Sequence, residues 1–366
     1  MIGFRRDILA KNTGTCQKLY PEMLQGCEDG NLIVDGEDRY LFLACAANLH
    51  DRHEWFPAMG HADHPEKSIK DKFFAWNLNT DKIQELSTPN FKGDYVSHGI
   101  DVVSTNPKEV AFYAVNHLGS GSVIEKFTLK LGSKTMEHIK TFDDQEFVNT
   151  PNDVYVADVA DDLFYVTNDH RFKTGLMREI ETMAQLPTTH IAVHSNKAGG
   201  YRIVAKGLAC LNGIAGDRKG RLFANQVNAN VIVFDYETSG NLTGVQIIKV
   251  PHVVDNPTYS EETGELLLSG FPKALVLADF AKDTTGEKRA PTSSSRIKLS
   301  DIVKADAQTK SPVKQPFVDE WFVDPGLGLI DMGTTVVVDA KHDNWYMMGV
   351  FTKGVTRCTG YSKTQA

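Results

Sequence analysis

The stretch V-N-T-P-N-D-V-Y-V-A-D-V, Val148 to Val159, sets two readings against each other. Asn and Asp are poor strand formers, yet Asn152 and Asp153 lead straight into an alternating Val154, Val156 pattern that reads as strand. Pro151 and Asn152 are turn residues, so a turn ahead of the strand accounts for the pair if it stands alone.

It does not stand alone. E-D-G-N-L-I-V-D-G-E-D-R-Y-L-F-L-A-C from Glu28 aligns with H-G-I-D-V-V-S-T-N-P-K-E-V-A-F-Y-A-V from His98 and with the stretch from Asn152. N-G-I-A-G-D-R-K-G-R-L-F-A-N-Q-V from Asn212, N-P-T-Y-S-E-E-T-G-E-L-L-L-S-G from Asn256 and T-V-V-V-D-A-K-H-D-N-W-Y-M-M-G-V from Thr335 follow the same plan. Each runs polar residue, short strand, tight polar turn, second apolar strand. Copies this small cannot bury their own faces, and six of them fit the blades of a β-propeller. The fold class expected is therefore all-β, a six-bladed propeller with a central tunnel, one domain spanning residues 1–366. Helical periodicity is confined to Phe172–Gln185, with Leu176, Ile180 and Met183 on one side, and the polar segment Asp283–Ser311 reads as a long surface loop.

Composition narrows the function. A formal charge of -8 with no basic run argues against nucleic acid as a partner. No segment approaches about 18 consecutive apolar residues, so no membrane span or anchor is expected. The start M-I-G-F-R-R-D has no apolar signal core. The five cysteines lack metal-finger spacing, and their odd number leaves at least one unpaired.

In a propeller the innermost strands run along the channel, so the polar strand starts converge at its mouth. The set is Glu28, Asp29, His98, Asn152, Asp153, Asn212, Asp255 and Asn256. Carboxylate and amide oxygens without thiolates select Ca²⁺ or Mg²⁺, and the amide carbonyls favour Ca²⁺. Four acids at one point repel strongly unless a cation keeps them ionised.

These residues and their motifs resemble the serum paraoxonase/arylesterase family of calcium-dependent lactonases over nearly the whole chain. C-E-D-G is similar to its S-E-D segment, S-H-G-I to P-H-G-I, A-V-N-H to V-V-N-H, P-N-D-V to N-D-I, L-N-G-I to A-N-G-I and V-V-D-N to V-D-N; T-N-D-H at Asn168–His170 recurs too. The resemblance implies two calcium ions. Glu28, Asn152, Asn212, Asp255 and Asn256 would hold the catalytic one, and Asp29, Asp153 and the carbonyl of Ile100 the structural one. Each set carries two carboxylates and so balances one dication. It further implies a Cys16–Cys358 disulfide tying the N-terminal segment to the last blade, which favours a secretory compartment.

The activity implied is hydrolysis of lactones or aryl esters, with calcium polarising the carbonyl and His98, oriented by His117, activating water. Metal-bound water or a ligand carboxylate is the alternative base. A calcium-dependent isomerase or cyclase, and a non-catalytic propeller stabilised by calcium, are the rival readings. Two departures stand out: Phe271 replaces a family histidine, making a more apolar substrate pocket together with Met332, and the family's lipid-anchoring N-terminal helix has no counterpart, so no lipid association is expected. H-D-R-H and H-A-D-H (His50, His53, His61, His64) read as a lid with Trp55 and Phe56 rather than a metal site. P-G-L-G-L-I-D-M-G, from Pro325, lacks the strand–helix context of a nucleotide loop. Cys210 reads as a small buried residue more readily than a nucleophile.

Overall fold

Alternation along each strand sends its two faces to two different neighbours. In Asp38–Ala46, Leu41, Leu43 and Cys45 pack one way, against Val337, Tyr346 and Met348. Phe42 and Ala44 pack the other way, against Val102, Phe112 and Phe127. The computed structural model, which describes residues 6–62, 64–67, 70–280, 282–283, 287–302 and 314–365, repeats this arrangement around a ring. Six four-stranded antiparallel sheets form the blades, and their innermost strands touch in succession until the first meets the last. A buried apolar cluster lies at each of the six interfaces.

The innermost strands are Gln25–Asp35, Ser97–Asn106, Pro151–Asp158, Leu211–Gly216, Val253–Ser260 and Gly333–Asp339. They are the expected repeats, and the six-bladed propeller is the observed fold. Cys16–Leu19 is the outermost strand of blade 6, paired with Val355–Thr359. The Cys16–Cys358 disulfide locks that pairing. A second bridge, Cys27–Cys45, spans the first two strands of blade 1, and buried Cys210 is the free thiol.

Two expectations need correction. The polar run from Asp283 is not all loop: Thr292–Lys298 is the third strand of blade 5, nearly all buried. Its T-S-S-S composition hides the strand because the hydroxyls find partners there. Ser293 donates to Glu320, Ser295 pairs with His252 at 3.0 Å, and Thr292 donates to the Ile330 carbonyl at 3.0 Å. Residues 284–286 and 303–311 of that expectation lie outside the described residues. The helix expected over Phe172–Gln185 is shorter, Leu176–Ala184 (α2), and it faces the other way. Leu176 and Met183 are 69% and 75% exposed, while Arg178 and Glu181 are buried. Glu181 accepts the backbone N–H groups of Arg171 and Phe172, and Arg178 pairs with Asp169, so these side chains carry specific bonds inward that an apolar face could not.

The bridge between the two ends of the chain predicts a measurable cost. Replacing Cys358 with Ser is expected to remove about 2–4 kcal/mol, because the disulfide closes 342 residues of sequence separation. Guanidinium denaturation reads this directly, and an unchanged midpoint would count against the role given to the bridge.

Candidate functional site

In a regular strand consecutive side chains point to opposite faces, so a polar pair such as Asn152–Asp153 cannot serve one point. Each innermost strand breaks that rule by carrying one more residue than its partner opposes. Pro151 lies opposite Asn168 and Val154 opposite Val166, leaving Asn152 and Asp153 across from Thr167 alone. The same irregularity falls at His98–Gly99, at Asn212–Gly213, at Asp255–Asn256 and at Thr334. Blade 1 has it on both sides of Cys27, at Gly26 and at Glu28. Such bulges re-aim side chains and bend the strand. Every residue expected at the mouth, apart from Asp29 and Ile100 just beyond, therefore sits in a bulge.

The bulges bring these side chains together. Asn256 Nδ2 donates to Glu28 Oε1 at 2.7 Å and to Thr335 Oγ1 at 3.0 Å. Asn152 Nδ2 lies 3.4 Å from His98 Nε2. Glu28 Oε2 and the Oδ1 atoms of Asn152, Asn212 and Asn256 are shielded from solvent with no hydrogen-bond partner. A buried acceptor without a partner is costly, and a cation would satisfy these acceptors from four blades at once. Two glycines keep the place open. A Cβ on Gly99 would stand 2.1 Å from Asp153 Oδ1, and one on Gly213 2.4 Å from Asn256 Oδ1.

Deeper in the tunnel the acids are clamped by neighbouring blades. Asp29 Oδ2 accepts the Ile100 amide at 2.9 Å and its Oδ1 accepts Thr335 Oγ1 at 3.1 Å. Asp153 accepts the amides of Val154 at 2.7 Å and Ile214 at 2.8 Å. Asp29, Ile100 and Asp153 border a cavity of about 500 Å³ that leads away from the mouth past Arg218 and Tyr155. Asp101 extends the same pattern below, accepting the Val156 amide and the Arg218 guanidinium.

Burial, with the other acids adding to it, holds Glu28 and Asp153 well above the usual carboxylate range. Burial also pushes Asp29 up to about 6 and Asp255 to about 7. Without a cation this cluster favours protons, and with one it favours charge. The donor set, two carboxylates and three amides above and two carboxylates below, fits a hard dication such as Ca²⁺.

His98 and His117 meet at the same mouth, with Nδ1 of the first 3.0 Å from Nε2 of the second. His117 Nδ1 lies 2.9 Å from Ser122 Oγ, a partner placed by the hairpin that sets Ser122 opposite His117. Burial drives both imidazoles down, His98 well below its ordinary value and His117 to about 3. Sequence reasoning did not find Ser122 or Thr335. The short H-L-G-S-G-S turn was the available signal for the first, and the Thr-Thr pair at the sixth strand start for the second.

The histidine-rich segment lies over this mouth. It contains helix Leu49–Glu54 (α1) and the short strands Trp55–Phe56 and His61–Ala62. Trp55 Nε1 donates to the His117 carbonyl at 2.9 Å, and Phe56 sets its ring edge against His98 with centroids 4.9 Å apart. His53 stacks on Phe351 at 4.3 Å, and His64 turns away to Glu66 at 3.0 Å. Phe271 and Met332 join Trp55 and Phe56 in one apolar cluster that roofs the tunnel. Pro325–Gly333 is a loop whose amides are gathered by Asp324, and it leads directly into the strand Gly333–Asp339 rather than into a helix. Burial pushes the Cys210 thiol up to about 12, which leaves it inert.

The raised acids give a sign to stability. In chelated protein the folded state holds protons that an unfolded chain, with carboxyl pKa values of about 4, releases. That contribution is present at acid pH and is lost as pH rises through the folded values of about 6 for Asp29 and about 7 for Asp255. Above about pH 7 the buried histidines are neutral in folded and unfolded chains alike, so thermal melts of chelated protein from about pH 7 to 8.5 are expected to show a falling Tm that added calcium abolishes. A chelated Tm that climbs over that range would sink this account.

A family model described as Arylesterase matches residues 68–310. Serum paraoxonase/lactonase 3 of Homo sapiens is 27% identical over 215 residues, 57% of this chain and 59% of that protein. Its counterpart in Oryctolagus cuniculus is 25% identical over 283 residues, covering 76% and 78%. Serum paraoxonase/arylesterase 2 of Gallus gallus is 26% identical over 251 residues, covering 68% and 65%. The matches thus span less than two thirds of the human and chicken relatives' own lengths. With the family model covering most of the six-bladed ring, the chain belongs to the arylesterase (paraoxonase) family.

Proposed function

We propose that this protein is a calcium-dependent hydrolase of lactones and aryl esters. The observation that carries the reading is the group of buried, unpartnered oxygens of Glu28, Asn152, Asn212 and Asn256 beside the His98–His117 pair. Glu28, Asn152, Asn212, Asp255 and Asn256 hold the catalytic ion, and Asp29, Asp153 and the Ile100 carbonyl hold the structural one. When bound at the mouth, calcium polarises the substrate carbonyl and stabilises the negative charge that develops on its oxygen.

The chain's own residues move the proton. Burial keeps His98 neutral, with Nδ1–H directed at His117 Nε2, so that Nε2, 3.4 Å from Asn152 Nδ2, is the ring's accepting nitrogen. As water adds to the carbonyl, His98 Nε2 takes its proton. His117, held through Nδ1–H by Ser122, accepts the hydrogen bond that orients the imidazolium. His98 then returns the proton to the departing alkoxide or phenoxide oxygen, leaving a carboxylic acid and a free hydroxyl. The roof of Trp55, Phe56, Phe271 and Met332 excludes bulk water and suits an apolar acyl or aryl group.

His98→Gln is expected to lower kcat on γ- and δ-lactones and phenyl acetate by about 10²–10⁴, and unchanged hydrolysis would remove His98 from its role. Chelation is expected to abolish turnover of the same panel and calcium to restore it. A protein that calcium stabilises against heat but that turns over none of these substrates would defeat the hydrolase reading. Glu28→Gln is expected to weaken calcium binding in titration calorimetry by at least tenfold, since one dication then faces a single carboxylate.

A further inference from the structure

A buried ion pair joins the lid to the strand that carries His98, and the chemistry above makes no use of it. Arg52 of α1 is 3% exposed. Its Nη2 donates to Asp71 Oδ2 and to Ser97 Oγ, both at 2.8 Å, and its Nη1 donates to the Ser97 carbonyl at 2.7 Å. Asp71 in turn accepts the Ser97 amide at 2.8 Å, the Ser97 hydroxyl at 2.9 Å and the Ala47 amide at 2.8 Å. Both polar ends of Ser97 are thus fixed by one guanidinium and one carboxylate, and Ser97 is bonded directly to His98. The guanidinium also lies 4.5 Å from the centroid of Phe56, whose ring packs against His98 and against His117 at 5.8 Å. Arg52 therefore reaches the histidine pair by two routes, the backbone of Ser97 and the ring of Phe56.

We infer that Arg52, seated on Asp71, is a positioning residue that holds the bulge at His98–Gly99 and the Phe56 ring so that His98 Nε2 faces Asn152. The inference rests on the reading of His98 as the base. Neutralising Asp71 needs only a positive charge, whereas holding Ser97 and stacking on Phe56 needs the planar fork. Lysine supplies the first and not the second. Arg52→Lys thus separates a positioning role from a merely structural one.

The experiment compares Arg52→Lys with wild type in phenyl acetate kinetics, calcium calorimetry and ¹⁵N-histidine spectra of the calcium-loaded protein. The expected result is a kcat lowered about tenfold to a hundredfold with KM changed less than about threefold. Calcium binding stays intact and the His98 ring signals shift. A kcat within about twofold of wild type, with the His98 signals unmoved, overturns the inference. If Arg52→Lys does not fold, Ser97→Ala removes one hydroxyl and neither charge, and is read by the same criteria. A wild type that hydrolyses nothing in the panel defeats the hydrolase reading instead, and the His98 signals alone then decide whether Arg52 sets the ring.

Discussion

The site depends on one extra residue in each innermost strand. A propeller blade has no spare surface: both sheet faces are taken by neighbouring blades, as the alternation of Leu41 and Leu43 against Phe42 and Ala44 shows. A polar side chain on either face would interrupt an apolar interface. The bulges at Glu28, His98, Asn152, Asn212, Asp255 and Thr334 turn their residues away from both faces and toward the axis. They occur near the start of each strand, before the regular ladder begins. The strand bodies can therefore stay apolar for packing while their ends stay polar for chemistry, and neither requirement compromises the other.

That separation creates an electrostatic problem and limits its solutions. Glu28, Asp29, Asp153 and Asp255 are all buried, and the first draws its raised affinity for protons partly from the other three. Hydrogen bonds relieve the deeper acids, since Asp29 and Asp153 each accept backbone amides from their own and the next blade. The upper oxygens receive less: Glu28 Oε2 and three amide carbonyls have no donor. Protonation would answer the carboxylates and, through their O–H groups, some of the amides but not all three, which cannot themselves take up a proton at these pH values. A cation answers both. Protonated Glu28 and Asp255 would offer two O–H donors to three unpartnered amide oxygens, so the upper set fits the proposed cation better than a cluster of protonated acids.

Legibility in the sequence followed the same division. The bulge residues are readable because Asn, Asp and His ahead of a Val- or Phe-rich run contradict strand propensity, and the contradiction recurs in five of the six blades, the sixth starting with Thr334 and Thr335. The ring of blades was readable from that recurrence. Elements whose polarity is satisfied from elsewhere were not. Thr292–Lys298 looks like loop until His252 and Glu320 supply partners for its serines. The periodicity of α2 located the helix but not its orientation, because Arg178 and Glu181 are drawn inward by Asp169 and by loop amides. Cys27–Cys45 joins residues across a hairpin whose register depends on the bulges around Glu28. Arg52 and Asp71 are distant in sequence from His98, and no local pattern links them.

The roof then bears on what the mouth accepts. Phe271 and Met332 come from blade 5 and from the entry to blade 6, and Trp55 and Phe56 from the lid, yet they pack as one cluster. Phe56 belongs at once to this cluster, to the cation above Asp71 and to the edge of His98. On the proposed hydrolase reading, a substrate seated against this cluster would lie beside the ring that packs on His98. On that reading, Phe56 would couple binding of the apolar part to alignment of His98, and substrates with a small or polar acyl portion would bind without fully setting the imidazole. Selectivity on that basis would reside in kcat more than in KM, because the apolar contact would act on the geometry of proton transfer and not on affinity alone.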